Sequence, residues 1–407
     1  MKRTNNSLTK VVIVLCIFIS SLSASLSATA EGQNFLYTIS NIAGENSIVG
    51  YRVESDGTLV ELDGSPFPTG GSGSGVVIFN QAGIVASEDG KYVFAINQGS
   101  STLTIFEVMP NGYLKRLRGS PFPTGGIFPV SLALNDDLLY VSHAGADFMA
   151  TCAFCNIQGH RIAMTGDILR AFPLQDAVVS FDTLPPAVPF AIGFNPEGTT
   201  LVASRFPFAD NPAPFSNIDT FQVNAATGEL TPAPGSPLVT QDPEPAGFAF
   251  RPSNPSQLLL TNIVALGEQS GTLTSYLLAD TGQLTPIFDT SFSSGDQQAT
   301  CWVDFTGDGK YAFATNTFSD SITTYAVDEA GLLELLEIEP VPNDSPIPAF
   351  PLEIVVSDDD RFVYTINGQG AFVAAYSTSD GLLEPLAQQP APLPAGSVPF
   401  GLVFVNR

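Results

Sequence analysis

Histidine, cysteine and basic side chains are all scarce in this chain of 407 residues. Two histidines narrow imidazole chemistry to His143 and His160. Fifteen Lys and Arg face 40 Asp and Glu, a formal net charge of −25. A field of that sign repels phosphate backbones and excludes a nucleic-acid partner. The sequence contains no G-x-S-x-G elbow, Walker loop, EF-hand loop or paired zinc-ligand motif, so neither cofactor nor metal is expected. Asp304, Asp308 and Asp358–Asp360 read as solvated residues in or beside turns. No window carries a convincing 3.6-residue apolar stripe, which leaves almost no room for helix. Beyond the first 30 residues, Gly, Pro or charged residues interrupt every apolar run before it reaches membrane-spanning length.

The amino terminus differs from the rest. Lys2, Arg3 and Lys10 precede the apolar stretch Val11–Ser20, and small residues follow up to Ala28-Thr29-Ala30. That order describes a secretory signal peptide, residues 1–30, cleaved before Glu31. Cleavage removes three basic residues and no acidic one, taking the net charge from −25 to −28. The expected product is a secreted or periplasmic monomer formed by residues 31–407 as one domain. Cys16 leaves with the signal, and Cys152, Cys155 and Cys301 remain. The C-x-x-C in TCAFC lacks the βαβ context of a redox motif. It reads first as a local Cys152–Cys155 disulfide bracing a loop, ahead of redox or zinc use.

What the chain does have is a repeat. GSPFPTGG occurs at Gly64–Gly71 and again at Gly119–Gly126, 55 residues later. An aromatic column runs Tyr51, Phe106, His160, Phe221, Tyr276, Tyr325 and Tyr376. A turn column follows it at Gly57, Gly112, Gly166, Gly228, Gly282, Gly331 and Gly381, several of them in the Asp-Gly or Asn-Gly pairs that tight hairpins require. Alternating β-branched and aromatic residues surround both columns, as in STLTIFEV and DSITTYAV. Seven units, each read as four short antiparallel strands, define an all-β fold, a seven-bladed β-propeller. The chain starts with a second-strand sequence, NFLYTIS, and ends with an innermost-strand sequence, FGLVFVN. The first blade is therefore expected to be completed by the C-terminal strand pairing with the N-terminal one. GSPFPTGG then becomes a structural connection from one blade to the next.

The segments QATCWVDFTGDGKYAFATNTFSDSITTY (298–325), FNQAGIVASEDGKYVFAIN (79–97) and PAGFAF (245–250) resemble exported members of the β-propeller lactonase family. That family is related to propeller-type 6-phosphogluconolactonases and muconate-cyclising enzymes. The resemblance implies hydrolysis of a sugar lactone or cyclic carboxylate at the mouth of the central channel. Its enzymatic branch carries P-H-x-H and Arg-His phrases before inner strands. The corresponding segments here, Pro186–Gly198 and Pro243–Pro252, carry no histidine or arginine ahead of the strand. A non-catalytic propeller binding a glycan, surface polymer or protein is the alternative.

Candidate site residues follow from the repeat. The last residue of each second strand should approach the mouth, and it reads Ser40, Asn97, His143, Arg205, Asn262 (beside Ile263), Asn316 and Asn367. His143 and Arg205 are the catalytic candidates, as acid or base and as anion partner. Ser40, Asn97, Asn262, Asn316 and Asn367 are candidates for binding a small lactone or carbohydrate-like ligand, although such residues also close strands by bonding nearby backbone. His160 belongs to the aromatic column and is expected to pack. The connections Ala144–Asn156 and Phe206–Ser216 are longer than their counterparts and are expected to shape specificity.

Overall fold

Period-two alternation becomes strand throughout a computed structural model that describes residues 33–77, 81–146, 152–166, 168–181, 187–207, 216–264, 268–343, 345–387 and 391–407. The segment read as a signal peptide lies outside these residues, as do parts of both long connections, at 147–151 and 208–215. Every regular element among the described residues is a β-strand, and none is a helix long and apolar enough to cross a membrane.

Seven antiparallel sheets result. Blade 1 runs from Phe400–Asn406 innermost through Asn34–Ile39 and Ser47–Val53 to Leu59–Glu61. In blades 2 to 7 the inner strands are Ile84–Ala86, Pro129–Asn135, Val188–Phe194, Pro245–Arg251, Thr300–Phe305 and Pro351–Val356. Their second strands are Tyr92–Asn97, Leu138–His143, Thr200–Phe206, Asn254–Asn262, Tyr311–Asn316 and Phe362–Asn367. Among the described residues, blades 3 and 6 have four strands, and the other five add a further strand that pairs with the third. The closure is continuous: Asn34 to Ile39 pair with Asn406 to Phe400, and Gln33 and Arg407 exchange backbone bonds of 2.7 and 2.9 Å.

The two columns seen in the sequence are positions of equal register. Tyr51, Phe106, His160, Phe221, Tyr276, Tyr325 and Tyr376 each face the residue four before the end position of the second strand, from Leu36 in blade 1 to Val363 in blade 7. All seven are buried. The turn glycines seat one blade on the next. Tyr37, Tyr140 and Tyr364 donate to the carbonyls of Gly112, Gly228 and Gly57 in the following blade, at 2.8, 2.7 and 3.0 Å. Gly57 and Gly112 have positive φ, and a Cβ on either would strike Phe362 or Phe35. Glycine answers a conformational and a packing demand at once.

GSPFPTGG plays the same part twice. Ser65 and Ser120 accept the amides of Gly50 and Ile105 on the third strand through Oγ, at 3.2 and 3.0 Å. Phe67–Pro68 and Phe122–Pro123 then pair with that strand as its outermost neighbour. Thr69 and Thr124 donate to Asn46 O and Ser101 O at 3.0 and 2.9 Å, ending the connection where the chain returns toward the axis. GSPLVT repeats the arrangement with Ser236 on the Thr220 amide and Thr240 on Ser216 O. The peptides before Pro66, Pro121 and Pro237 are all cis.

Candidate functional site

Inner strands rise from the mouth of the channel, and near that end they lose register with the second strand. Breaks fall between Pro129 and Ser131, Pro189 and Ala191, Pro245 and Phe248, Thr300 and Trp302, and Pro351 and Ile354. Such bulges free backbone groups that need partners. Hydroxyls supply them: Thr38 donates to Gly401 O at 2.7 Å, Ser204 to Ala246 O at 2.6 Å, Thr261 to Cys301 O at 2.6 Å and Thr365 to Glu353 O at 3.1 Å.

The seven strand-end residues do lie at this level, and all are buried. Asn97 donates to Thr102 and Thr104 Oγ1 at 3.1 and 3.0 Å and accepts from Asn46. Asn316 donates to Ser321 Oγ and Thr323 Oγ1 at 3.1 and 2.8 Å and accepts from Thr300. Asn262 reaches Thr272 and Thr274, and Asn367 reaches the Thr365 and Phe372 carbonyls. Ser40 Oγ accepts the Ser47 amide at 3.1 Å. These side chains tie the second strand to the third. On Asn262 and Asn367, Oδ1 is buried without a hydrogen-bond partner.

The final glycines of the octapeptide cover two of these residues. A Cβ on Gly71 would run into Asn97, and one on Gly126 into His143 and Asn156. Burial pulls the His143 pKa down to about 3, against a smaller upward pull from Asn156, so the ring is neutral at physiological pH. His160 is buried on the same blade, and desolvation holds its pKa near about 4. The position beside it in blade 4 is different. Arg205 Nε donates to Asp219 Oδ2 at 2.6 Å, both side chains being about nine-tenths buried, and its guanidinium lies 5.3 Å from the Phe181 ring centroid. Burial raises the Asp219 pKa, and the Arg205 charge opposes that rise. Cys152 and Cys155 lie beside this corner with their sulfurs 2.10 Å apart, and Cys301 is a separate buried thiol.

The axis itself is crossed by protein. Gln81, ahead of the short inner strand of blade 2, donates to Phe248 O at 3.3 Å and accepts the Phe248 amide at 3.1 Å, reaching blade 5. Ala82 accepts the Leu132 amide of blade 3 at 2.9 Å and gives its own amide to Glu353 Oε1 of blade 7 at 3.0 Å. Glu353 Oε2 takes the Leu402 amide of blade 1 at 3.1 Å. One carboxyl thereby joins three blades. Desolvation pushes its pKa up to about 8, despite both amides and with some help from Asp304. Asp304, a strand residue accepting the Val356 amide at 2.9 Å, is raised to about 6. A narrow part of Asp304 stays accessible, yet protein dominates its surroundings. Trp302 stacks on Phe190 at 5.5 Å, and Phe190 on Phe206 at 5.2 Å.

Asp219, Glu353 and Gln81 were not singled out from the sequence. The signal available was a charge inside an apolar strand, NIDTF and PLEIVV. Among the described residues no group of three or more His, Cys, Asp or Glu side chains could hold a metal ion.

Comparison with known proteins agrees with this geometry. Residues 215–398 match the family model described as Lactonase, 7-bladed beta-propeller. No curated protein matches the chain. Among solved structures, a proposed 6-phosphogluconolactonase of Bacteroides fragilis is similar with TM-score 0.70 at 18% identity, covering 93% of this chain and 99% of that one. The periplasmic gluconolactonase of Pseudomonas aeruginosa is similar with TM-score 0.70 at 18% identity, covering 92% and 99%. At such identity the likeness speaks for the fold alone. The protein is thus a seven-bladed β-propeller whose second half, residues 215–398, matches the lactonase family model.

Proposed function

We propose that the protein is an extracytoplasmic lactonase-like hydrolase that opens a sugar lactone or related cyclic carboxylate at the mouth, beside blades 3 and 4. The observation that carries this reading is the Arg205–Asp219 pair, a buried cation and carboxylate at a strand end next to the two longest connections between second and third strands. In this reading the guanidinium holds the lactone carbonyl or an anionic substituent and stabilises the oxyanion formed as water adds to the carbonyl carbon. Asp219, its pKa raised by burial, takes the proton from that water. Collapse of the adduct breaks the ring C–O bond, and the departing alkoxide receives the proton to give a hydroxy acid. Neutral His143 is a proton acceptor held in reserve beneath Gly126. Ser40, Asn97, Asn262, Asn316 and Asn367 fix the backbone of the binding rim. Location outside the cytoplasm rests on the basic, apolar, small-residue order of residues 1–30 and on the periplasmic gluconolactonase of similar fold.

The test is ring opening followed by base consumption across phosphorylated and unphosphorylated aldonolactones and unsaturated lactones. Arg205→Lys should lower kcat/KM by about 100-fold and Asp219→Asn by at least as much, in proteins that still fold. Absence of turnover with every lactone rejects the proposal. The second reading, a propeller that binds a glycan, surface polymer or protein without chemistry, is favoured by one observation: the strand-end amides and His143 lie under a protein roof. Saturable binding to an immobilised glycan panel without product would establish it.

A further inference from the structure

The face opposite the mouth carries the turns between first and second strands and the hairpins between third and fourth. Between blades 2 and 3 these elements separate to leave a cleft of about 760 Å³. Blade 3 makes the outer wall: its third and fourth strands, Asn156–Thr165 and Ile168–Ser180, are the longest pair in the wheel and carry Ile162 and Leu169 past the neighbouring blade. Leu134 and Phe94 close the inner side, and Tyr92 adds a second ring. Tyr92, Leu134 and Leu169 are partly exposed in the cleft, over Phe94 and Ile162, which are almost wholly covered.

The rim is acidic, and its charges are unevenly balanced. Asp89 is paired with Lys91 at 2.6 Å, and Asp137 with Arg161 at 2.5 Å. Glu88 and Asp136 line the same cleft, and no ion pair engages either among the described residues. The cleft thus presents two uncompensated carboxylates beside the partly exposed Tyr92, Leu134 and Leu169, in a chain that is itself strongly anionic. Low-dielectric walls focus such a field and exclude anions. Its volume is that of a small-molecule site and not of a hydration gap.

We infer that this cleft binds a small amphiphilic organic cation, an arylalkylammonium, whose apolar ring lies on Tyr92, Leu134 and Leu169 while its ammonium meets Glu88 and Asp136. Tyr92 favours the same sign of charge through its ring. The site is independent of the lactone reading, because it lies on the other face of the wheel and shares none of its residues.

The experiment is calorimetric titration of residues 31–407 with 2-phenylethylammonium at low ionic strength, beside 2-phenylethanol and phenylacetate as neutral and anionic counterparts. The cation should bind saturably with a Kd on the order of 0.1–1 mM, at least about tenfold tighter than the alcohol, and phenylacetate should not bind. Glu88→Gln with Asp136→Asn keeps the shape of the rim, and Asn accepts the positive φ of 49° at position 136. That double variant should bring cation and alcohol to equal affinity. Leu169→Arg places a tethered guanidinium in the cleft and should abolish cation binding with an unchanged melting temperature. Equal affinity for cation and alcohol in the unaltered protein, an undiminished cation preference in the double variant, or no saturation by about 10 mM each overturns the assignment. A basic peptide binding there while the small cation does not also overturns it.

Discussion

Burial decides what the charged residues of this wheel can do. Arg205 and Asp219 neutralise each other in a site where neither would be tolerated alone. Arg205→Ala is expected to destabilise the fold by about 3–5 kcal/mol by stranding the carboxylate, and the Arg205→Ala, Asp219→Ala double variant by clearly less than the sum, as read by urea denaturation. Additive single effects would show that the pair is not coupled. Glu353 makes a pH argument of its own. Its folded pKa of about 8 lies above the ordinary carboxyl value of 4.5, so the folded state keeps a proton that the unfolded chain has already lost. The contribution is fully present below about pH 4.5 and is lost as pH rises toward 8. Asp304, raised to about 6, acts in the same direction over a lower interval. Stability should therefore fall between about pH 5 and pH 8, and Glu353→Gln should flatten that slope in thermal melts taken across the range. A slope unchanged by the substitution would remove Glu353 as its source.

Connections between blades set how deep each strand end lies. Gly126 leaves no room for a Cβ beside His143, so Gly126→Ala should cost about 1–3 kcal/mol of stability, and His143→Ala in the same chain should restore part of it. Independent effects of the two changes would place them out of contact. The aromatic column and the Gly turns were legible in the sequence because each is a local, period-two or hairpin requirement repeated seven times. Strand ends were legible as positions, from Ser40 to Asn367, but their depth was not. Whether Asn97 or His143 meets solvent depends on the glycine of a loop that belongs to the preceding blade. The crossing of the axis by Gln81 and Ala82 was likewise hidden, since its partners Phe248 and Glu353 lie 167 and 271 residues away. The outermost pairing of Phe67–Pro68 escaped notice because proline tolerated at a sheet edge looks, in sequence, like a strand terminator.

A wheel differs from an open stack of sheets in having no first or last blade, and here that property depends on seven residues at the C-terminus. Phe400, Leu402 and Val405 are buried, and each contributes about 1.5–3 kcal/mol by leaving water. The same strand supplies the Leu402 amide to Glu353, so its loss would release the carboxyl that joins blades 1, 2 and 7. Deleting residues 400–407 should thus expose an apolar edge on blade 1 and another facing blade 7. The expected result is an expanded or aggregated chain by size-exclusion chromatography. Position in the sequence should matter less than presence in the sheet. Gln33 and Arg407 already exchange two backbone bonds, so the two strands meet as the arms of a hairpin would. A permuted chain that begins at residue 399, continues through Arg407 into a short Asn-Gly turn and Gln33, and ends at residue 398 should fold to the same wheel. Its urea midpoint should stay within the equivalent of about 2 kcal/mol of the parent, because the latch becomes a local hairpin and loses only its long-range closure cost. If the permuted chain proved as disordered as the deletion, pairing of the termini would not be what holds the ring shut.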